Sequence, residues 1–239
     1  MTQGLPVQGA VILITGANRG IGRALVTSAL KRAARKVYAG MRTVQPLGLP
    51  GVEEVPLDVT DQAQVRAAAA RCNDVNVLVN NAGIALPGGF LAAESHAACQ
   101  RHLDTNVFGI LRMAQAFAPV LAARGGGAML NVLSVASWLN SPLLGTYGLS
   151  KSAAWALTNG LRAELRAQGT LVSGLHVGFV DTDPVRQIDV PKICADAVAE
   201  AAWAGLEAGQ EEILVDERAQ QVKRGLTTEP PLYLTVGRR

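Results

Sequence analysis

Tyr147, Lys151 and Ser134 are the residues whose types and spacing first suggest chemistry. Tyr147 and Lys151 stand four apart near the start of a stretch with helical patterning, so phenol and ammonium share one face. A free phenol, with a pKa of about 10, exchanges protons poorly at neutral pH. A nearby cation favours the phenolate and lowers that pKa, which makes the group a usable general acid/base, and Lys151 can supply the cation. Ser134 ends an apolar run 13 residues upstream and can donate a hydrogen bond to a substrate oxygen. An isolated Tyr-x-x-x-Lys is usually a surface pair, so its weight depends on its surroundings.

The turn Thr15-Gly16-Ala17-Asn18-Arg19-Gly20-Ile21-Gly22 follows the aliphatic run Val11 to Thr15 and opens a helical pattern. Gly16 lets the chain turn, Gly20 permits close approach of a pyrophosphate, and Gly22 lets the helix pack on the sheet. The helix start then offers unpaired amides to phosphate. Any glycine-rich connection shares this composition, but the strand–turn–helix context favours a dinucleotide. No Gly-Lys-Ser/Thr closes the turn, so it is not a P-loop. An acid roughly 20 positions beyond the glycines would receive the adenosine ribose of NAD. None occurs between Gly22 and Gly51; Met41 takes that place and Arg42 follows. Unless both are simply solvated, Arg19 and Arg42 suit a ribose 2′-phosphate, which predicts NADP(H).

Strand patterns at 11–15, 36–40, 52–57, 75–80, 128–133, 170–176 and 212–215 alternate with helical ones. The helices fall at about 20–33, 61–71 behind an Asp61 cap, 94–123 as two stretches, 146–167 and 193–206. This alternation predicts an α/β Rossmann fold: one domain over 1–239 with a doubly wound, seven-stranded parallel sheet and helices on both faces. Ser134 then lies at a strand's C-terminal end, where such sheets build their crevice.

Composition narrows the function. Of 239 residues, 49% are apolar and 17% charged, enough to bury a large core and unlike a disordered chain. Aromatics at 4% argue against a base-stacking platform, and a net charge of +3 without a basic block argues against a nucleic-acid partner. Cys72, Cys99 and Cys194 suggest neither a disulfide framework nor a metal site. His176 is expected near the cleft as a hydrogen-bonded wall residue. No leader or membrane-length run is read, so a cytoplasmic protein without a membrane partner is expected.

The joint order of the glycine turn, Asp58, Asn80-Asn-Ala-Gly83, Asn106, Ser134 and Tyr147-x-x-x-Lys151 resembles a classical short-chain dehydrogenase/reductase over roughly residues 10 to 216. The resemblance implies an NADP(H)-dependent, carbonyl-reductase-like oxidoreductase that moves a hydride between cofactor and carbonyl carbon. It implies that Ser134 polarises the carbonyl oxygen and Tyr147 protonates it. Lys151 would lower the phenol pKa and bind the nicotinamide ribose, and Asn106 would hold a water joining Lys151 to solvent. Cofactor contacts are expected from Gly16, Asn18, Arg19, Gly20, Ile21 and Gly22, then Arg42, Asp58, Val59, Asn81, Ala82 and Gly83. Tyr147, Lys151, Gly178, Val180 and Thr182 complete that set. Two departures stand out: Asn131-Val-Leu-Ser134 lacks the first of two usual serines, and His176-Val177-Gly178 lacks a usual proline, which questions the stiffness of that wall.

Substrate contacts are expected from Ser134, Trp138, Leu144 and Tyr147. The segment with Leu139 and Leu143 would make an apolar wall, although Trp138 could equally pack in the core. Residues 178–192 read as a short lid. The tail 217–239 either closes the pocket or meets a neighbouring subunit. The resemblance also implies a homodimer or homotetramer. Two other functions remain: a 3-oxoacyl-thioester reductase, needing basic residues such as Arg124, Arg162 or Arg166 at the pocket mouth, and a catalytically silent nucleotide-binding interaction protein.

Overall fold

The run Val11–Thr15 forms strand β1, and its alternate side chains explain why it is apolar throughout. Val11 and Leu13 enter one core, Ile12 and Ile14 the other, so both faces of the strand are buried. The structure, a computed structural model, describes residues 4–181 and 192–235. Within them, β2 (Lys36–Met41), β3 (Val52–Pro56), β4 (Val77–Asn80), β5 (Ala128–Val132), β6 (Leu171–His176) and β7 (Glu212–Leu214) join β1 in one sheet. The order is β3-β2-β1-β4-β5-β6-β7, with every neighbouring pair parallel.

Helices α1 (Gly20–Lys31) and α6 (Ala195–Glu207) cover one face; α2 (Gln62–Arg71), α4 (Gly109–Ala122) and α5 (Gly145–Leu165) cover the other. Asp61 caps α2 as expected, its carboxylate accepting the Ala63 and Gln64 amides. The chain changes direction across the sheet between β1 and β4, so the turns after these strands flank the crevice.

The two helical stretches expected at 94–123 form an almost continuous rod. Helix α3 (Ser95–Leu103) passes through one wider π turn, Asp104–Phe108, into α4. Asn106 lies in that turn and is fully buried. The tail begins with a helix the sequence reading did not anticipate, α7 (Glu217–Gly225), which buries only Ala219 and Val222. It packs on its own chain, beside β7 and the short turn Val135–Ser137. No helix among the described residues is long and apolar enough to cross a membrane.

Candidate active site

The turns after β1 and β4 are stitched together. The Asn81 side-chain amide donates to the Thr15 and Gly16 carbonyls at 2.9 and 3.2 Å. The Asn81 and Ala82 backbone amides both donate to the Thr15 hydroxyl at 3.0 Å. Gly16 has φ +66°, a left-handed conformation natural to glycine. At Gly22, an added Cβ would strike the Gly16 carbonyl and lie 2.7 Å from the Asn81 side-chain nitrogen. Helix α1 can therefore approach the turn only with glycine there.

These turns open onto a cleft of about 520 Å³. All twelve cofactor candidates from Gly16 to Gly83 line it. Arg19, the residue at the α1 N-cap, makes no side-chain cap, so its side chain does not occupy the first-turn amides. At the end of β2, Met41 is buried while Arg42 and Thr43 are exposed at the cleft. Asp58 accepts the Thr60 amide and hydroxyl at 2.9 and 2.8 Å, which fixes the adjoining wall. The cleft also includes residues the sequence reading missed, among them Thr43, Ile84, Arg101 and Thr105. Arg101 and Thr105 share the rod with Asn106, but only their rotation about it shows that they face the cleft.

Ser134 caps the short turn after β5, its Oγ accepting the Ala136 amide at 3.1 Å. Its hydroxyl proton is thereby left free to turn toward Tyr147, whose phenolate it favours. Lys151, one turn beyond Tyr147 on α5, is buried and donates to the Val132 carbonyl at 2.8 Å. Its Nζ lies 5.8 Å from the Tyr147 ring centroid. The expected lowering of the phenol pKa by Lys151 is not what the geometry produces. Burial raises Tyr147 above its ordinary value, with only the nearby Ser134 hydroxyl opposing it, and lowers Lys151 to about 8. The reason is that burial disfavours both charged forms, while the ammonium is spent on a backbone carbonyl.

Asn106 is a strut. Its carboxamide accepts the Ile84 amide at 2.9 Å and donates to the Ile84 carbonyl and the Ser150 hydroxyl, each at 3.0 Å. Ser150 in turn donates to the Tyr147 carbonyl at 2.7 Å.

On the far wall, Val177 is buried where the family pattern has proline. The following Gly178 amide is tied to the Asp216 carboxylate at 2.9 Å. Asp216 also caps α7 through the Ala219 amide at 2.8 Å, so the unanticipated helix holds this wall in place of the missing proline. Val180 pairs with Ile193, closing the base of the expected 178–192 lid, most of which, Thr182 included, lies outside the described residues.

Trp138 is half-buried and packs against its own chain. Its ring stacks on His176 with centroids 3.8 Å apart and meets Trp155 edge-on at 6.2 Å. Lys223 sits 4.9 Å from the centre of the same ring. His176 is fully buried, its Nδ1 3.2 Å from the Ser134 carbonyl, and burial drives its pKa down to about 3. Leu144, half-buried, stays beside Tyr147 at the start of α5. The arginines considered for a carrier-binding mouth lie elsewhere: Arg162 and Arg166 bind Glu211, and Arg124 the Asn73 carbonyl, all before strand starts.

A parallel sheet with a glycine turn at its crossover point, and a Ser–Tyr–Lys group at the neighbouring strand end, defines a Rossmann-type oxidoreductase. Residues 10–191 match the short chain dehydrogenase family, and the chain belongs to it. It is 35% identical over 199 residues to human 17-beta-hydroxysteroid dehydrogenase type 1, a match covering 77% of this chain and 59% of that protein. It is 33% identical over 199 residues to the short chain dehydrogenase tazN of Aspergillus terreus, covering 75% of this chain but 43% of the relative. A short chain dehydrogenase from Burkholderia cenocepacia, solved in complex with NADP, superposes with a TM-score of 0.93 at 35% identity, covering 98% of this chain and 100% of that one.

Proposed function

We propose that this chain reduces the carbonyl of an apolar ketone or aldehyde with NADPH. The observation that carries the proposal is the grouping of Ser134 after β5 with Tyr147 and the buried Lys151 on α5, set beside a nucleotide cleft where the end of β2 offers Arg42 and no acid. The cleft suits NADP(H). The α1 amides, without a side-chain cap, would hold the pyrophosphate, and Arg42, with Arg19 and Thr43 nearby, would hold the 2′-phosphate. The Burkholderia relative's complex with NADP supports that assignment.

When bound, the nicotinamide would supply the hydride. Ser134 donates a hydrogen bond to the carbonyl oxygen and polarises it. Tyr147, its pKa raised above the ordinary phenol value, is protonated at neutral pH and gives that oxygen its proton. Lys151 would hold the nicotinamide ribose, and Asn106 keeps the Ile84 segment against α5. Gly178 and Val180 would form the wall over the nicotinamide. Leu144 and Phe90, whose ring lies over Gly145, give the substrate side its apolar character. Exposed Phe108 and Leu149 would form a seam between copies of the chain.

NADPH absorbance followed on cyclohexanone, acetophenone, ethyl benzoylformate and an acetoacetyl thioester, beside NADH, tests the reading. Reduction of the aryl or alicyclic ketones, faster with NADPH, is the expected result. Reduction of the thioester alone favours the 3-oxoacyl-thioester alternative, and NADPH binding without any turnover favours the silent interaction protein.

A further inference from the structure

His102 occupies the last turn of α3 with no exposed surface. Its Nε2 accepts the Leu86 backbone amide at 2.9 Å, and its Nδ1 lies 3.1 Å from the Thr146 hydroxyl. Its ring stands edge-on to Tyr147, with centroids 5.9 Å apart. A backbone amide can only donate, so Nε2 carries no proton and Nδ1–H donates to Thr146. Burial lowers the ring's pKa, and the charges of Arg101 and Lys151 act in the same direction, so the neutral form is the one that persists.

The groups that His102 joins belong to one wall. Leu86 precedes Gly88, whose amide donates to the Leu143 carbonyl at 2.8 Å. The Gly145 amide returns a bond to the Gly88 carbonyl at 3.1 Å. Thr146 immediately precedes Tyr147. An apolar side chain at 102 would fill the space but leave the Leu86 amide without its acceptor. That loss is one packing alone would not cause.

We propose that His102 is a positioning residue: as a neutral imidazole it ties the Leu86 segment to the first turn of α5 and so aims Tyr147 at Ser134 and the substrate carbonyl. The proposal rests on Tyr147 being the proton donor. It requires His102→Phe, which keeps a ring of similar size, to free the Leu86 amide and disturb the start of α5.

Residue-resolved amide exchange on the full chain tests this without a substrate. Leu86 is expected to exchange roughly 10- to 100-fold faster in His102→Phe, with faster exchange also at 143–148, while sheet amides and the NADPH Kd stay close to wild type. His102→Gln, which keeps an acceptor for Leu86, should restore most of the protection. Turnover of the panel ketone that the wild type reduces fastest should fall by roughly 10- to 100-fold in kcat for His102→Phe. If His102→Phe does not fold, Thr146→Val removes only the hydroxyl partner and should produce a smaller change confined to 143–148. Unchanged exchange at Leu86 and 143–148, or uniformly faster exchange across the sheet, would overturn the proposal. A Tyr147→Phe variant that still reduced ketones would instead overturn the reading on which it rests.

Discussion

Around the turns after β1 and β4, the cleft is lined mostly by short contiguous stretches, residues 16 and 18–22, 41–43, 57–60 and 81–84, with Arg101, Asp104 and Thr105 added from the α3 rod. Around Tyr147, the groups that hold the site come from scattered places: His102 on α3, Asn106 in the π turn, Ser134 after β5 and Asp216 before α7. A bound phosphate is met mainly by backbone amides and glycine geometry, which a local motif encodes. A proton donor must be aimed, and aiming requires side chains from several elements. The first region is therefore a local solution and the second a tertiary one.

A substitution at Gly22 should break the local region most severely. Gly22→Val drives a side chain into the Gly16 carbonyl and Asn81, costing about 1–3 kcal/mol of packing. Transmitted to the phosphate turn, that weakens NADPH binding by roughly 10- to 100-fold in a fluorescence titration. An unchanged Kd would mean that the turn does not bind the pyrophosphate.

Arg42→Ala sharpens the comparison by removing one exposed charge at the ribose corner. NADPH affinity should fall by about 10-fold, with NADH affinity little altered, because only NADPH offers the 2′-phosphate. Equal losses for both cofactors would assign Arg42 to a feature they share.

A third test lies on the tertiary side and is read as a pH slope. His176 has its pKa lowered by burial to about 3, with Lys223, Lys151 and Arg162 acting in the same sense. Between that value and about 6.5 the unfolded chain takes up a proton that the folded chain refuses. Stability should therefore fall as pH drops through this window, by up to about 1.4 kcal/mol per pH unit. Urea midpoints from pH 7 to 4 should show a shallower fall in His176→Asn; an identical slope would place the acid sensitivity elsewhere, with His102 the next group to test.

Much of this architecture was legible in the chain. The seven strands and their order of alternation followed from apolar runs buried on two faces, as at Val11–Thr15. The glycine turn and Arg42 after β2 were read as lining one cleft, and both do. What stayed hidden depended on tertiary contact. His102 and Trp138 carried no spacing signal, because their partners are distant in sequence. Helix α7 was missed because only two of its residues are buried, too few for a pattern. Asp216 could have been noticed as an N-cap before Glu217, but not as the group that holds Gly178. The direction of the Tyr147 shift also escaped, because four-residue spacing puts Lys151 nearby without revealing that Val132 holds its ammonium.

The measurement closest to the central claim is Tyr147→Phe, assayed for ketone reduction with NADPH and, in the same preparation, for NADPH binding. Loss of roughly 100- to 10,000-fold in kcat is expected with the cofactor Kd nearly unchanged, since only the donated proton has been removed. Turnover within a few-fold of wild type, at unaltered Kd, would contradict it.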